Sequence, residues 1–144
     1  MKRFFSTTIM LFVAIATLSL SSCQKEASEL IIGKWNTKVA QLTTTDSQNH
    51  VETTDLSPLF KGFEFVEGGA GSAFVQLDPN STEPTALACT WTIEEEQLNV
   101  IITEMEMTMA LTITEIDKKA MILDNSSEIF GTTMAMHFEM EKAE

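Results

Sequence analysis

Met105-Glu106-Met107-Thr108-Met109-Ala110-Leu111-Thr112-Ile113-Thr114 alternates apolar and polar side chains along its length. A β-strand turns successive side chains to opposite faces. Met105, Met107, Met109, Leu111 and Ile113 therefore share one face, while Glu106, Thr108, Thr112 and Thr114 share the other. A helix would scatter the same residues around its circumference. The stretch reads as a strand of an antiparallel sheet, buried on one side and wet on the other.

The same period runs outward in both directions. Met134, Met136, Phe138 and Met140 alternate against Thr133, His137, Glu139 and Glu141, and Leu98, Val100 and Ile102 make a third apolar face. Turn residues separate these runs at Gly68-Gly69-Ala70-Gly71, Glu94-Glu95-Glu96-Gln97, Asp117-Lys118-Lys119 and Asp124-Asn125-Ser126-Ser127, with a longer Pro-containing loop at Asp78–Thr85. Strands are expected near 32–42, 62–67, 72–77, 86–94, 97–103, 105–116, 119–124 and 131–141. Eight strands, each following its neighbour, form an antiparallel up-and-down meander, and closing it into a barrel removes the exposed edges. Leu42 to Lys61 stands apart as a polar connection, a mobile loop or a lid, with Ser57 as N-cap, Pro58 as first helical residue and Gly62 as stop for a single helical turn.

The chain begins with a different signal. Lys2 and Arg3 precede an apolar run from Ile9 to Leu20, too short for the roughly 20 residues that span a bilayer, and small residues then lead to Cys23. This is a secretory signal. Leu20-Ser21-Ser22-Cys23 resembles the lipobox of bacterial lipoproteins, in which cleavage precedes a cysteine that becomes acylated. The expected organisation is a signal peptide at 1–22, a lipidated polar tether at 23–30 and a barrel domain at 31–143. The tether Gln24-Lys25-Glu26-Ala27-Ser28-Glu29 resembles the Lys- and acid-rich signals that send some Gram-negative lipoproteins to the cell surface, and Gln24 is not the Asp of inner-membrane retention. The resemblance implies a Gram-negative outer-membrane protein, lipid-anchored and surface-exposed.

Charge narrows the partners. Removing residues 1–22 takes away two cations and no acid, so the net charge moves from −12 to −14. Nucleic acid and anionic lipid surfaces are thereby excluded as electrostatic partners. Membrane attachment rests on the acylated Cys23 alone, each buried acyl methylene contributing about 0.8 kcal/mol.

Gly33-Lys34-Trp35 opens the first strand and resembles the Gly-x-Trp signature of lipocalins, where the Trp plugs the closed end of an eight-stranded barrel. The resemblance covers roughly residues 31–142 and implies a lipocalin-like fold binding a small apolar or amphipathic molecule. Lipocalins place a basic residue, mostly Arg, over that Trp. The mature chain has no Arg, and Lys142 is the one cation near its end.

Trp91, Met105, Met107, Met109, Met134, Met136 and Phe138 are the candidate ligand-lining residues, because unbranched thioethers adapt to irregular ligands. The same i, i+2 spacing is what any inward strand face produces, so ordinary core packing is the competing reading, and a soft Cu(I) site a third. The inward set expected to fill the lumen also includes Trp35, Phe63, Phe65, Phe74 and Met140. An eight-stranded barrel either fills with its own side chains or holds one small ligand. Cys89 alternates with Leu87, Trp91 and Ile93 as a buried thiol. His50 and His137 read as surface residues, and no spacing of His or Cys suits zinc. No nucleophile motif, calcium loop or phosphate loop is complete, so no cofactor and no catalysis are expected. The rival to a ligand carrier is a non-catalytic interaction protein with a filled barrel, docking an envelope partner or inhibiting an external protease.

Overall fold

The computed structural model describes residues 27–144. The expected signal peptide at 1–22 and Cys23 lie outside them. Nine antiparallel strands follow: β1 Gly33–Thr45, β2 Val51–Asp55, β3 Phe60–Phe65, β4 Ala70–Val75, β5 Thr85–Glu94, β6 Gln97–Ile102, β7 Met107–Ile116, β8 Ala120–Ile129 and β9 Thr132–Lys142. The spatial order is sequential apart from β2, and β9 pairs back onto β1. Eight strands thus close into an up-and-down barrel, the all-β architecture expected from the alternation. No helix among the described residues is long and apolar enough to cross a membrane.

Three irregularities bend the strands around the lumen: register shifts at Thr37/Val39 in β1, Phe60/Gly62 in β3 and Ile113/Glu115 in β7. The core runs up the lower and middle barrel. Phe60, Phe63 and Phe65 stack along β3, with centroids 6.4 and 5.9 Å apart, and Phe138 meets Phe60 and Phe63 edge-on. Large rings on β3 sit beside small residues on β4, because Phe63 pairs with Ala73 and Phe65 with Gly71. Such alternation of bulk lets a small barrel close.

Several sequence expectations need correction. Leu42 to Lys61 is not a loop: β1 runs on to Thr45 and β2 returns beside it. Asp46 Oδ1 accepts the N–H groups of Gln48 and His50, and Asn49 takes φ 60°, which turns the hairpin. The helical turn falls at Leu56–Phe60, one residue early, with the Phe60 N–H on the Leu56 carbonyl, and Gly62 lies inside β3. Asp124-Asn125-Ser126-Ser127 is not a turn but mid-strand. Pairing with β9 keeps β8 extended to Ile129, and Phe130-Gly131, both at positive φ, make the reversal. Met105 has left the strand for a 3-10 turn at Thr103–Met105, closed by Glu106 at φ 50°. Phe74 points outward beneath the Lys34 ammonium, 4.5 Å from its ring centre, because Ala73 and Val75 hold the inward positions of β4.

Candidate functional site

The two ends of the barrel differ. The lower end is closed by residues 27–35 and Lys142. The Ile31 N–H bonds the Ala27 carbonyl in a single helical turn, and Ile31 and Trp35 are both fully buried. Trp35 Nε1 donates to the Ile31 carbonyl at 2.7 Å. Lys142 lies with its ammonium 5.1 Å from the Trp35 ring centre and donates to the Leu30 carbonyl at 2.9 Å. The ammonium thus lies over the indole face, where the ring attracts a cation. Gly33 makes the arrangement possible: its φ of 124° suits glycine, and a Cβ there would approach Lys142 Cε to 2.8 Å.

The upper end opens along one side only. On the wall formed by β3 to β6, the inward residues stay buried to the rim, ending in Phe60, Val75, Leu87 and Ile102. On β1, β7, β8 and β9 they do not. Met140 and Phe138 of β9 are buried, while Met136 and Met134 above them are half-buried; Ala40 of β1 gives way to half-buried Leu42 and Thr44. On β8, buried Leu123 is followed by half-buried Asn125 and exposed Ser127, and on β7 buried Met109 by half-buried Met107. Cross-strand pairing puts Leu42, Met136 and Asn125 at one level and Thr44, Met134 and Ser127 at the next. The result is a shelf on the inner face of three neighbouring strands, in which apolar Leu42, Met134 and Met136 alternate with polar Thr44, Asn125 and Ser127.

Beside the shelf the barrel wall parts. The β7–β8 ladder ends at Thr112–Asp124, and the Asn125 amide donates instead to the Ala110 carbonyl. Above that bond β8 pairs with β9 alone. The side-chain bond replaces a ladder bond, so β8 can diverge from β7 without leaving that carbonyl bare.

The candidate ligand-lining residues divide between two regions. Trp91 belongs to the floor: its ring meets Phe65 edge-on at 5.6 Å, and Nε1 donates to the Val66 and Ala70 carbonyls. Met109 and Phe138 are buried in the core. Met107, Met134 and Met136 lie half-buried at the open end, and Met105 packs against the core from the 3-10 turn. Leu42, Thr44 and Asn125 escaped sequence reading. Leu42 marked the end of an expected strand, and Asn125 sat in an apparent turn. Cys89 is buried between Leu87 and Trp91 on the inner face of β5, and burial pushes its thiol up from the ordinary range.

The outer wall carries a polar network. His137 Nδ1 lies 2.6 Å from Asp124 Oδ1, its Nε2 lies 3.1 Å from Glu139, and the Thr114 hydroxyl donates to Asp124 Oδ2. The hydroxyl meets the carboxylate, not the imidazole, so the grouping lacks the contact that activates a nucleophile. The hydrogen bond to Asp124, reinforced by that to Glu139, raises the His137 pKa above its ordinary value. A raised folded-state pKa contributes stability that is complete below the unfolded value of about 6.5 and is lost as pH rises through the folded value. His137→Gln is therefore expected to cost most near pH 5.5 and least above pH 8, by no more than about 1 kcal/mol for so exposed a pair. Urea unfolding of both proteins at the two pH values checks this, and a constant difference would contradict it.

Among solved structures, the chain is similar to a lipocalin-like protein from Bacteroides uniformis, with 14% identity and a TM-score of 0.47 over 79% of this chain and 99% of that one. It is also similar to a bovine odorant binding protein, a deswapped triple mutant, with 10% identity and a TM-score of 0.45 over 79% of this chain and 74% of that one. No protein-family model matches the chain, and no curated protein matches it.

Proposed function

We propose that this protein is a non-catalytic, lipid-anchored lipoprotein of the Gram-negative outer membrane whose barrel takes up one small apolar or amphipathic molecule on the shelf at its open end. One observation carries the reading. Inward side chains pass from sealed to half-exposed along adjacent strands, and the half-exposed band combines Leu42, Met107, Met134 and Met136 with Thr44 and Asn125. Ligand sites are concave and mostly apolar, with a few polar groups that orient the occupant. Methionine suits an occupant of irregular shape.

A neutral environment-sensitive dye, N-phenyl-1-naphthylamine, tests the site. Saturable, one-to-one fluorescence enhancement is expected, with affinity at least about tenfold weaker in a Met134→Glu, Met136→Glu double variant, a change of about 1.4 kcal/mol. Absence of saturation, or equal affinity in a variant that retains its circular dichroism spectrum, would reject the shelf as a binding site.

The anchor draws its support from the sequence: the apolar run, the lipobox-like Leu20-Ser21-Ser22-Cys23, and the tether that follows. Cys23→Ala is expected to move the protein from the membrane to the soluble fraction of its host. Continued sedimentation with membranes would remove acylation from the proposal.

A second reading, an interaction protein that docks an envelope partner or blocks an external protease, draws on one residue. Phe130 is 103% exposed at the β8–β9 tip, in a left-handed conformation that bulky residues seldom adopt. It becomes the better reading if the dye does not bind and native mass spectrometry from the host shows a stoichiometric protein partner that Phe130→Ser abolishes.

A further inference from the structure

We infer that the closed end of the barrel faces the membrane and the shelf faces away from it, so that the occupant is exchanged with the aqueous side and not with the anchoring leaflet. This rests on the acylation of Cys23 proposed above and extends it to the geometry of exchange. The described chain begins at the closed end. The turn at 27–31 is fastened there by the Trp35 and Lys142 bonds to the carbonyls of Ile31 and Leu30. Only residues 24–26 separate Cys23 from Ala27. Four Cα steps reach at most about 14 Å, whatever conformation they take.

The shelf lies at the other end of β1. Thr44 is nine residues beyond Trp35. At about 3.3 Å per residue, on a strand tilted about 40° to the barrel axis, that is roughly 23 Å of height. The tether is therefore shorter than the barrel is tall. With the acyl chains in the bilayer, the open rim cannot turn over to meet the surface that holds the anchor.

Lying on its side is the remaining way to bring the shelf down, and the outer wall opposes it. Most outward positions are polar or acidic, Thr90 and Thr92 on β5, Thr108, Thr112 and Thr114 on β7, and Glu139 and Glu141 on β9 all being exposed, against the apolar Phe74 on β4, Ala86 and Ala88 on β5 and Ile101 on β6. Phe74 lies beneath the Lys34 ammonium and Ile101 sits between Thr90 and Thr108, so these apolar groups are broken up by polar ones, and a mature charge of −14 adds repulsion from anionic lipid. The hairpin tips at 46–50 and 130–131, with Phe130, then form the part of the molecule farthest from the bilayer.

Energy transfer from a single fluorophore to rhodamine-labelled lipid measures this. The full acylated protein, in a Cys89→Ala background, is placed in phosphatidylethanolamine–phosphatidylglycerol vesicles. The label sits at Gln48→Cys on the β1–β2 tip, or at Lys118→Cys on the closed-end turn between β7 and β8. Transfer from position 118 is expected to exceed transfer from position 48 several-fold. Equal transfer, or stronger transfer from 48, in protein whose mass shows the acyl chains would overturn the orientation and leave the anchor standing. Protein without the acyl mass, and absent from floated vesicles, would overturn the anchor and the orientation with it.

Discussion

Replacing Trp35 with Ala lowers the unfolding free energy by about 3–5 kcal/mol, the cost of emptying a fully buried aromatic site. Total stability for a domain of this size is about 5–15 kcal/mol, so the variant is expected to be partly unfolded at 37 °C. The reason is connectivity as much as volume. The indole holds the N-terminal turn through Ile31 and supports Lys142, so its loss frees both chain ends from the floor. Lys142→Met separates the two contributions. It keeps most of the packing but deletes the cation and the bond to Leu30, and is expected to cost about 1–3 kcal/mol. Urea unfolding followed by tryptophan fluorescence, with Trp91 as reporter in Trp35→Ala, gives both values. A Trp35→Ala loss under about 1.5 kcal/mol would show that the floor is not sealed from within.

The second large effect is expected at Gly62. A Cβ on this residue would collide with the carbonyl oxygen of Trp35 and crowd Asn36 Cα, and both obstacles are backbone. Neither can swing aside as a side chain does. Gly62→Val is expected to break the Asn36–Gly62 end of the β1–β3 pairing and to cost about 3 kcal/mol, the upper end of overpacking. The exposed neighbour Lys61 provides the contrast, Lys61→Ala staying within about 0.5 kcal/mol. Thermal unfolding of the three proteins decides it. Equal melting temperatures for Gly62→Val and the parent would mean that β1 and β3 are farther apart than the structure places them.

Much of the barrel was legible because burial imposes period two. Met109, Leu111 and Ile113 in β7 and Phe138 and Met140 in β9 are inward as their alternation requires. β2 was not legible. All five of its residues are exposed, so no apolar alternation marks it, and its strand character comes from pairing with β1 through contacts such as the Thr43–Thr53 hydroxyl bond. The polar run Asp124–Ser127 misled in the opposite direction. Its composition suits a turn, but β9 holds it extended, and the turn formed where Gly131 supplies a positive φ. The shelf was half legible. Met134 and Met136 were visible as inward residues, but alternation fixes only a face and says nothing about height. Trp91, Met109 and Phe138 share the inward parity and lie in the floor and core instead.

By itself, the chain determined which side of each long strand is apolar and that successive hairpins would close on themselves, because side-chain parity and the need to cover edges act locally. Only the folded barrel decided that Lys142 covers Trp35, that Phe74 faces out, and that β8 parts from β7 beyond Asp124 beside a half-buried shelf on β1, β8 and β9. Each of these depends on which distant residue arrives opposite, and register between strands is settled by packing across the whole lumen.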